Sequence, residues 1–128
     1  MPAYFVRVQT KKPFDEIFNL VKEKYANVYF NILDSESEKI GLIIGTKWFF
    51  KTNGDVAVTI IIKDEGEKTI LDIITYGGRE GMFGLSLGVH EDLAGKVLHF
   101  LKSKNIDVKV IKKIKYSNPE KIHQLQRV

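Results

Sequence analysis

The segment Tyr76-Gly77-Gly78-Arg79-Glu80-Gly81-Met82-Phe83-Gly84-Leu85-Ser86-Leu87-Gly88 joins the last of four consecutive strand-like runs to the longest helix-like run of the chain. It holds five of the ten glycines, and glycine is the residue that permits positive φ angles and close approach of other atoms. Because Leu85 and Leu87 make it too apolar for a flexible linker, we expect part of it to pack. The segment therefore marks where a β-rich region meets a closing helix.

The region before this segment has the pattern of an antiparallel meander. Its strand-like runs are Val28–Leu33, Ile40–Phe50, Val56–Lys63 and Thr69–Tyr76. Short polar turns such as Asn53-Gly54 separate them, and short connections favour antiparallel neighbours because a parallel crossover needs a dozen residues or more. An earlier run around Tyr4–Val8 alternates in the same way and predicts a first strand.

Two amphipathic segments flank the meander. In the first, apolar residues recur at helical spacing after Pro13, namely Phe14, Ile17, Phe18, Val21 and Tyr25. The second, Val89–Ser103, has an apolar stripe and begins with two acidic residues, which suit the positive end of a helix dipole. The sequence therefore predicts an α+β fold in the order β-α-β-β-β-β-α plus a β-α tail, with an antiparallel five- to six-stranded sheet and two main helices on one face.

Composition predicts one domain. Residues 1–104 form the predicted α+β domain, and residues 105–128 form a basic C-terminal strand and helix extension packed on it. Residues 96–128 carry nine Lys/Arg and two Asp/Glu, against 11 and 14 in residues 1–95. With 44% hydrophobic and 28% charged residues, no signal peptide pattern and no run of roughly 18 apolar residues, we expect a cytoplasmic protein without a membrane partner. The absence of cysteine excludes disulfides and thiolate chemistry.

The second face of the predicted sheet is unusually apolar. If Leu42 and Ile44 belong to the core face under the helices, the opposite face collects nine large apolar residues, which is more than a free surface usually carries. We expect a homodimer through this face, with an interface that includes Phe5, Tyr29, Ile43, Phe49, Ile61, Ile74 and Tyr76. Two alternatives stay open: the C-terminal tail covers the face, or the register slips at a bulge and exchanges the two faces.

No catalytic or metal site is expected. His90-Glu91 begins a zinc-helix pattern, but position 94 is alanine, so we expect His90 to be a solvated polar residue at a helix start. Asp72 lies mid-strand among apolar residues, and we expect it to pair with Arg7 or Lys63 across the sheet. Because phosphate-loop and nucleophile-elbow motifs are absent as well, no cofactor is expected, and an enzyme is the least supported class of function.

The layout resembles the TATA-box-binding-protein-like fold and the related helix-grip fold of lipid- and polyketide-binding proteins. The run Leu71-Asp72-Ile73-Ile74-Thr75-Tyr76-Gly77-Gly78, followed by Phe83 and the approach to Leu93, is similar to small prokaryotic domains in which a strand ends in a Thr-x-Gly-Gly turn before the closing helix. The likeness spans roughly residues 3–104. It implies a fold and transfers no catalytic residue.

Three functions remain open. The first is a non-enzymatic module that binds a hydrophobic small molecule or a partner protein, with a ligand site between the Val89–Ser103 helix and the sheet. The residues expected at that site are Trp48, Phe50, Arg79, Phe83 and Leu87. The second is nucleic-acid binding through the apolar sheet face or through the basic C-terminal region, with Lys109, Lys112, Lys113 and Lys115 as contacts. The third is a homo-oligomeric structural protein.

Overall fold

The computed structural model describes residues 3–49, 54–78 and 88–115, without the side chains of Trp48 and Phe49. It confirms the α+β fold and the order of its elements. These are β1 (Ala3–Thr10), α1 (Phe14–Tyr25), β2 (Tyr29–Asp34), β3 (Lys39–Phe49), β4 (Gly54–Asp64), β5 (Thr69–Tyr76), α2 (Val89–Ser103) and β6 (Lys109–Lys115). The predicted final helix lies outside the described residues.

The six strands form one antiparallel sheet in the order β2-β3-β4-β5-β1-β6. Strands β2 to β5 are the predicted meander. The first strand of the chain lies between β5 and β6 and pairs with both. The basic sixth strand is therefore an integral edge of the sheet, and β2 is the opposite edge.

Both helices pack on one face of the sheet, which we call the helix face. The apolar stripe of α1 predicted from residues 14–21 is buried there, and so is that of α2. Val6, Ile60 and Ile73 lie beneath them and are fully buried. This burial of apolar surface on both sides of the helix–sheet contact is the main source of the fold's stability.

Strand β3 has the opposite orientation to the one predicted. Ile43 pairs with the helix-face residue Ile60 and is fully buried, so it lies under the helices rather than in a subunit interface. Leu42 and Ile44 occupy the other side and are only half-buried. The physical reason is α1: a Cβ atom at Gly41 would lie 2.5 Å from the ring of Phe18, and one at Gly45 would collide with the carbonyl oxygen of Tyr25.

The second face, which we call the open face, carries the remaining residues of the predicted interface. Phe5 lies on β1, one strand in from the β6 edge, and is only 2% exposed. Ile61, Ile74 and Tyr76 are half-buried, whereas Tyr29 at the edge is exposed. The side chain of Phe49 lies outside the described part. The exposed apolar surface is therefore shifted from the centre of this face towards strand β2.

Among the described elements, neither helix has the length and apolarity that a membrane crossing requires.

Candidate functional site

A groove of about 1060 Å³ runs between α1 and α2 on the helix face. The α1 helix packs on β3 and β4, whereas α2 packs on β5, β1 and β4, so both helices contact β4 near the middle of the sheet. They meet where the rings of Tyr25 and Phe100 make an edge-to-face contact, with 5.9 Å between centroids. The described residues that line the groove are Lys24, Tyr25, Asn27, Thr46, Lys47, Val58, Val89, Glu91, Asp92, Leu93, Gly95, Lys96, His99, Phe100 and Ser103.

The deepest part of the groove is apolar. Val58 of β4 and the α2 residues Val89 and Leu93 are almost completely buried and form its floor and one wall. At the α1 end, Asn27 fixes the chain beside β3, because its side chain accepts a hydrogen bond from the Thr46 amide (2.8 Å) and donates one to the Thr46 carbonyl (2.9 Å). This double hydrogen bond holds the C-terminal end of α1 against the sheet and so sets the position of one wall.

Three lysines from three elements converge on this groove: Lys24 of α1, Lys47 of β3 and Lys96 of α2. Burial, reinforced by the nearby ammonium groups of Lys96 and Lys24, lowers the pKa of Lys47 below its ordinary value. Like charges near one another disfavour the charged form, so Lys96 and Lys24 act on the pKa of Lys47 in the same direction as burial. The groove therefore combines an apolar floor with a positively charged side.

Acidic groups also reach the groove, but at the start of α2. Glu91 Oε2 lies 3.5 Å from Lys115 Nζ, so its charge is directed towards strand β6. Asp92, the exposed His99 and the phenol of Tyr25 are the other titratable residues of the described lining. The lysines and the carboxylates thus come from different parts of the walls, and an elongated ligand would meet both.

Gly95 is the one described glycine inside a helix that faces this groove. A Cβ atom built there would have no described heavy atom within 4 Å. Glycine in a helix costs about 1 kcal/mol relative to alanine, and no described neighbour requires the missing side chain. Its effect is to widen the groove at the middle of α2, where the helix backbone becomes accessible.

None of the ligand-site residues predicted from sequence has a described side chain. The side chain of Trp48 is outside the described part of β3, and Phe50, Arg79, Phe83 and Leu87 lie outside the described residues. Sequence reasoning missed Lys47, Gly95 and Lys96. Two features of the sequence indicate these residues. Lys47 is a lysine in a strand whose other residues are mostly apolar or small, and Gly95 is a glycine within an amphipathic helix.

The expectation for His90 was wrong. Its side chain is buried, and its Nε2–H donates to the carbonyl oxygen of Gly77 at 2.7 Å. Its own carbonyl accepts a hydrogen bond from Thr75 Oγ1 at 2.7 Å. His90 therefore ties the start of α2 to the end of β5. In the described ranges, the structure places no three His, Asp or Glu side chains as a possible metal site.

The pairing predicted for Asp72 is confirmed. Arg7 donates to it through two nitrogens, with Nε 2.6 Å from Oδ1 and a terminal nitrogen 2.8 Å from Oδ2. Lys63 Nζ lies 3.8 Å from Oδ2. The hydrogen bond to Asp72 raises the pKa of Arg7, although burial acts in the opposite direction. This bidentate pair joins β1 to β5 on the open face and has a structural role.

The four lysines of β6 do not form one patch. Lys113 and Lys115 pair with the helix-face residues Val6 and Tyr4, whereas Lys112 pairs with Arg7 on the open face. Lys109 pairs with Gln9 beyond a register shift and also falls on the open side. A flat anionic surface would therefore meet two of these lysines at a time.

Compared with known protein families and with curated protein sequences, the chain matches none of them.

Proposed function

We propose that this protein is a non-enzymatic binding module whose ligand is a small molecule with an apolar body and an anionic group. The ligand lies in the groove between α1 and α2. The observation that carries the proposal is the combination of a buried apolar floor, Val58 and Leu93, with three converging lysines. Binding sites for small molecules are concave and mostly apolar, and a few polar groups in them fix the orientation of the ligand.

The lysines favour an anion because their mutual repulsion is relieved when a negative charge lies between them. Lys47 is the central one, since its pKa is lowered by burial and by both neighbouring lysines. An anionic group restores the preference for the charged form of each ammonium. The apolar part of the ligand then packs over the floor, and removing the ligand's own apolar surface from water contributes about 25 cal/mol per Å².

Gly95 supports close approach of a ligand to α2. A Cβ atom at this position would have no described heavy atom within 4 Å, so the space beside the α2 backbone is open. The free-energy cost of glycine in a helix is offset if the vacant side-chain volume admits the ligand. The resemblance to helix-grip proteins agrees with a ligand held between helix and sheet.

The serine and histidine of the groove support binding rather than catalysis. The Ser103 hydroxyl donates to the carbonyl oxygen of Phe100 at 2.6 Å, one turn back along the same helix. A nucleophilic serine instead requires its hydroxyl to donate to a base. His99 is exposed, and the structure records no bond between it and Ser103 among the described residues.

A second groove, of about 920 Å³, lies at the other end of the sheet and is less suited to an apolar ligand. Its described lining is mainly charged, with Lys11, Lys12, Lys68 and Lys109 among it, and Val108 is the large apolar member. The groove between the helices is therefore the better candidate.

The proposal is tested by titrating the protein with anilinonaphthalene sulfonate, an apolar fluorescent anion. We compare Gly95→Phe, which fills the groove, with Gly95→Ala, which leaves it open. Both substitutions improve helix propensity, so neither is expected to unfold α2. We expect the dissociation constant of the probe to rise at least tenfold in Gly95→Phe, equivalent to about 1.4 kcal/mol, and to stay near the wild-type value in Gly95→Ala.

A third variant, Lys96→Gln, tests the charge part of the proposal. We expect it to weaken binding of the sulfonate probe more than binding of an uncharged naphthalene amine. Only the sulfonate probe carries a negative charge that the Lys96 ammonium can contact. Equal probe affinity in wild type and Gly95→Phe would place the probe elsewhere and overturn the proposal. Equal losses for the charged and uncharged probes would remove the anion from it.

A further inference from the structure

Strand β2 has an exposure pattern unlike that of the rest of the sheet. All six of its residues are exposed. The large apolar side chains at 28–30, 32 and 33 are between 39% and 60% exposed, and they are five of the seven exposed large hydrophobic residues in the described chain. Such a strand at the edge of a sheet is a template for pairing with another strand.

The backbone of β2 offers alternate hydrogen-bonding groups to a neighbour. The turn after β2 is closed by a bond from the Ser35 amide to the Glu38 carbonyl at 2.8 Å. Bonded and non-bonded pairs alternate along an antiparallel ladder, so the odd residues of β2 bond to β3. The N–H and C=O groups of the even residues, Phe30, Ile32 and Asp34, therefore point away from the sheet.

One of these outward groups is satisfied locally. The Ile32 amide donates to Oδ1 of its neighbour Asn31 at 2.9 Å. This bond is short-range and exposed, so a strand that aligned beside β2 could replace it without loss of any contact in the core. The edge can therefore pair with a second strand. In the single chain, the side chain of Asn31 accepts the hydrogen bond of the Ile32 amide, which is the central outward amide of β2.

We infer that β2 pairs with β2 of a second copy of this chain, antiparallel, about a two-fold axis at Asn31. Identical antiparallel strands are naturally related by such an axis. In this register Tyr29 meets Leu33 of the other copy on the open face, and Phe30 meets Ile32 of the other copy on the helix face. Asn31 meets Asn31. The two sheets become one continuous twelve-stranded sheet with all four helices on the same side.

The sequence of β2 favours this occupant over an unrelated strand. About Asn31 the strand is nearly symmetric in character, so each large apolar residue pairs with another large apolar residue, and the polar residue pairs with itself. Aromatic–aliphatic pairs across strands stabilise a sheet by roughly 0.2–1 kcal/mol each. The single charge of the strand, Asp34, falls opposite Val28 of the other copy, so no like charges meet.

The expected dimer is of modest strength. The six residues of β2 span about 20 Å of strand, and an interface limited to one edge is at the small end of specific interfaces. The Lys22 ammonium lies 5.1 Å from the Phe30 ring centroid and already covers part of that ring. We therefore expect dissociation in the micromolar range rather than the nanomolar range.

Disulfide trapping tests the register, since the chain has no cysteine of its own. In Asn31→Cys the two thiols lie directly opposite each other, at a separation that a disulfide tolerates. In Leu33→Cys the two thiols are offset by four residues, about 13 Å. With oxidised glutathione we expect Asn31→Cys to form a covalent dimer at least tenfold faster than Leu33→Cys. Equal rates, or a faster reaction of Leu33→Cys, would overturn the proposed pairing.

Sedimentation velocity tests the association itself. Wild type between roughly 10 and 500 μM is expected to shift from monomer to dimer. Asn31→Lys places two ammonium groups against each other at the axis, and we expect its dissociation constant to rise at least tenfold. Asn19→Lys, an exposed position on α1, makes the same chemical change away from the edge and is expected to dimerise as wild type does. A monomeric wild type throughout this range, or equal behaviour of the two variants, would refute the inference.

Discussion

The two edges of this sheet differ in how they are exposed to other chains. Strand β6 carries four lysines among its seven residues, and its pairing with β1 has a register shift between Arg7 and Val8. Strand β2 carries no lysine, and its pairing with β3 is regular from Tyr29 to Asp34. Lysines and irregular pairing are the devices that keep a free edge from joining another sheet. Of the two edges, β6 therefore carries these protective features and β2 lacks them.

The strands near the two edges of the sheet are also held in place by different interactions. At the β6 end, the buried bidentate pair of Arg7 and Asp72 joins β1 to β5 on the open face. At the β2 end, α1 lies so close to β3 that Gly41 and Gly45 have no room for a side chain. An ion pair on one side and close packing on the other thus add to the shared apolar core, and the two can be perturbed separately.

The largest effect is expected from Arg7→Met. It leaves the buried carboxylate of Asp72 without its main partner, and loss of one member of a buried pair costs about 3–5 kcal/mol. Because Lys63 lies 3.8 Å from the same carboxylate, we expect the free energy of unfolding in urea to fall by about 3 kcal/mol. The double variant Arg7→Met/Asp72→Leu should recover most of the loss. A single variant as stable as wild type would show that the pair has no role in holding this end.

A smaller effect is expected from Gly45→Ala at the other end. The added methyl group collides with the Tyr25 carbonyl oxygen, so α1 must shift, and overpacking of this kind costs roughly 1–3 kcal/mol. Gly95→Ala is the matched control, because the same substitution in open space should stabilise α2 by about 0.5–1 kcal/mol. In thermal unfolding, the midpoint temperature should fall for Gly45→Ala and rise for Gly95→Ala. The same sign for both would contradict the close packing of α1 on β3.

The smallest effect on folding, and the sharpest test of the edges, is expected from Lys109→Val/Lys113→Val. Both side chains are exposed, one on each side of β6, so the free energy of unfolding should change by no more than about 0.5 kcal/mol. The unprotected edge can then pair with β2 of another copy, and such head-to-tail contacts do not close. Light scattering should detect assemblies larger than a dimer.

Lys11→Val/Lys12→Val removes the same charge at exposed positions outside the edge strands. We expect this control to scatter light as wild type does. Assemblies of equal size in both variants would mean that lost net charge, and not an unprotected edge, causes the association.

Periodicity predicted the elements well and one strand orientation wrongly. The bounds of α2 are those expected, Val89–Ser103, because its apolar stripe and its polar face are separated clearly. In β3 both sides are apolar over Ile40–Ile44, so alternation alone could not decide which side meets the helices. The glycines at 41 and 45 indicate the buried side, since the Phe18 ring and the Tyr25 carbonyl of α1 approach the strand too closely there for any side chain.

Spacing along the sequence also did not identify the lysines of the groove. Sequence placed a ligand site between α2 and the sheet, and the side chains it named lie outside the described part of the chain, so that prediction stays a prediction. Lys24, Lys47 and Lys96 are more than 20 positions apart along the chain. No local pattern links them, because their proximity depends on the angle between two helices over a twisted sheet.

By itself, the sequence determined the number and type of elements, the antiparallel meander and the partner of Asp72, because these follow from local spacing and from complementary charge. The tertiary structure decided which side of β3 is buried, where the lysines meet and which edge of the sheet is left uncovered. These properties arise from packing between segments distant in the chain, and pairwise spacing along the sequence does not encode them.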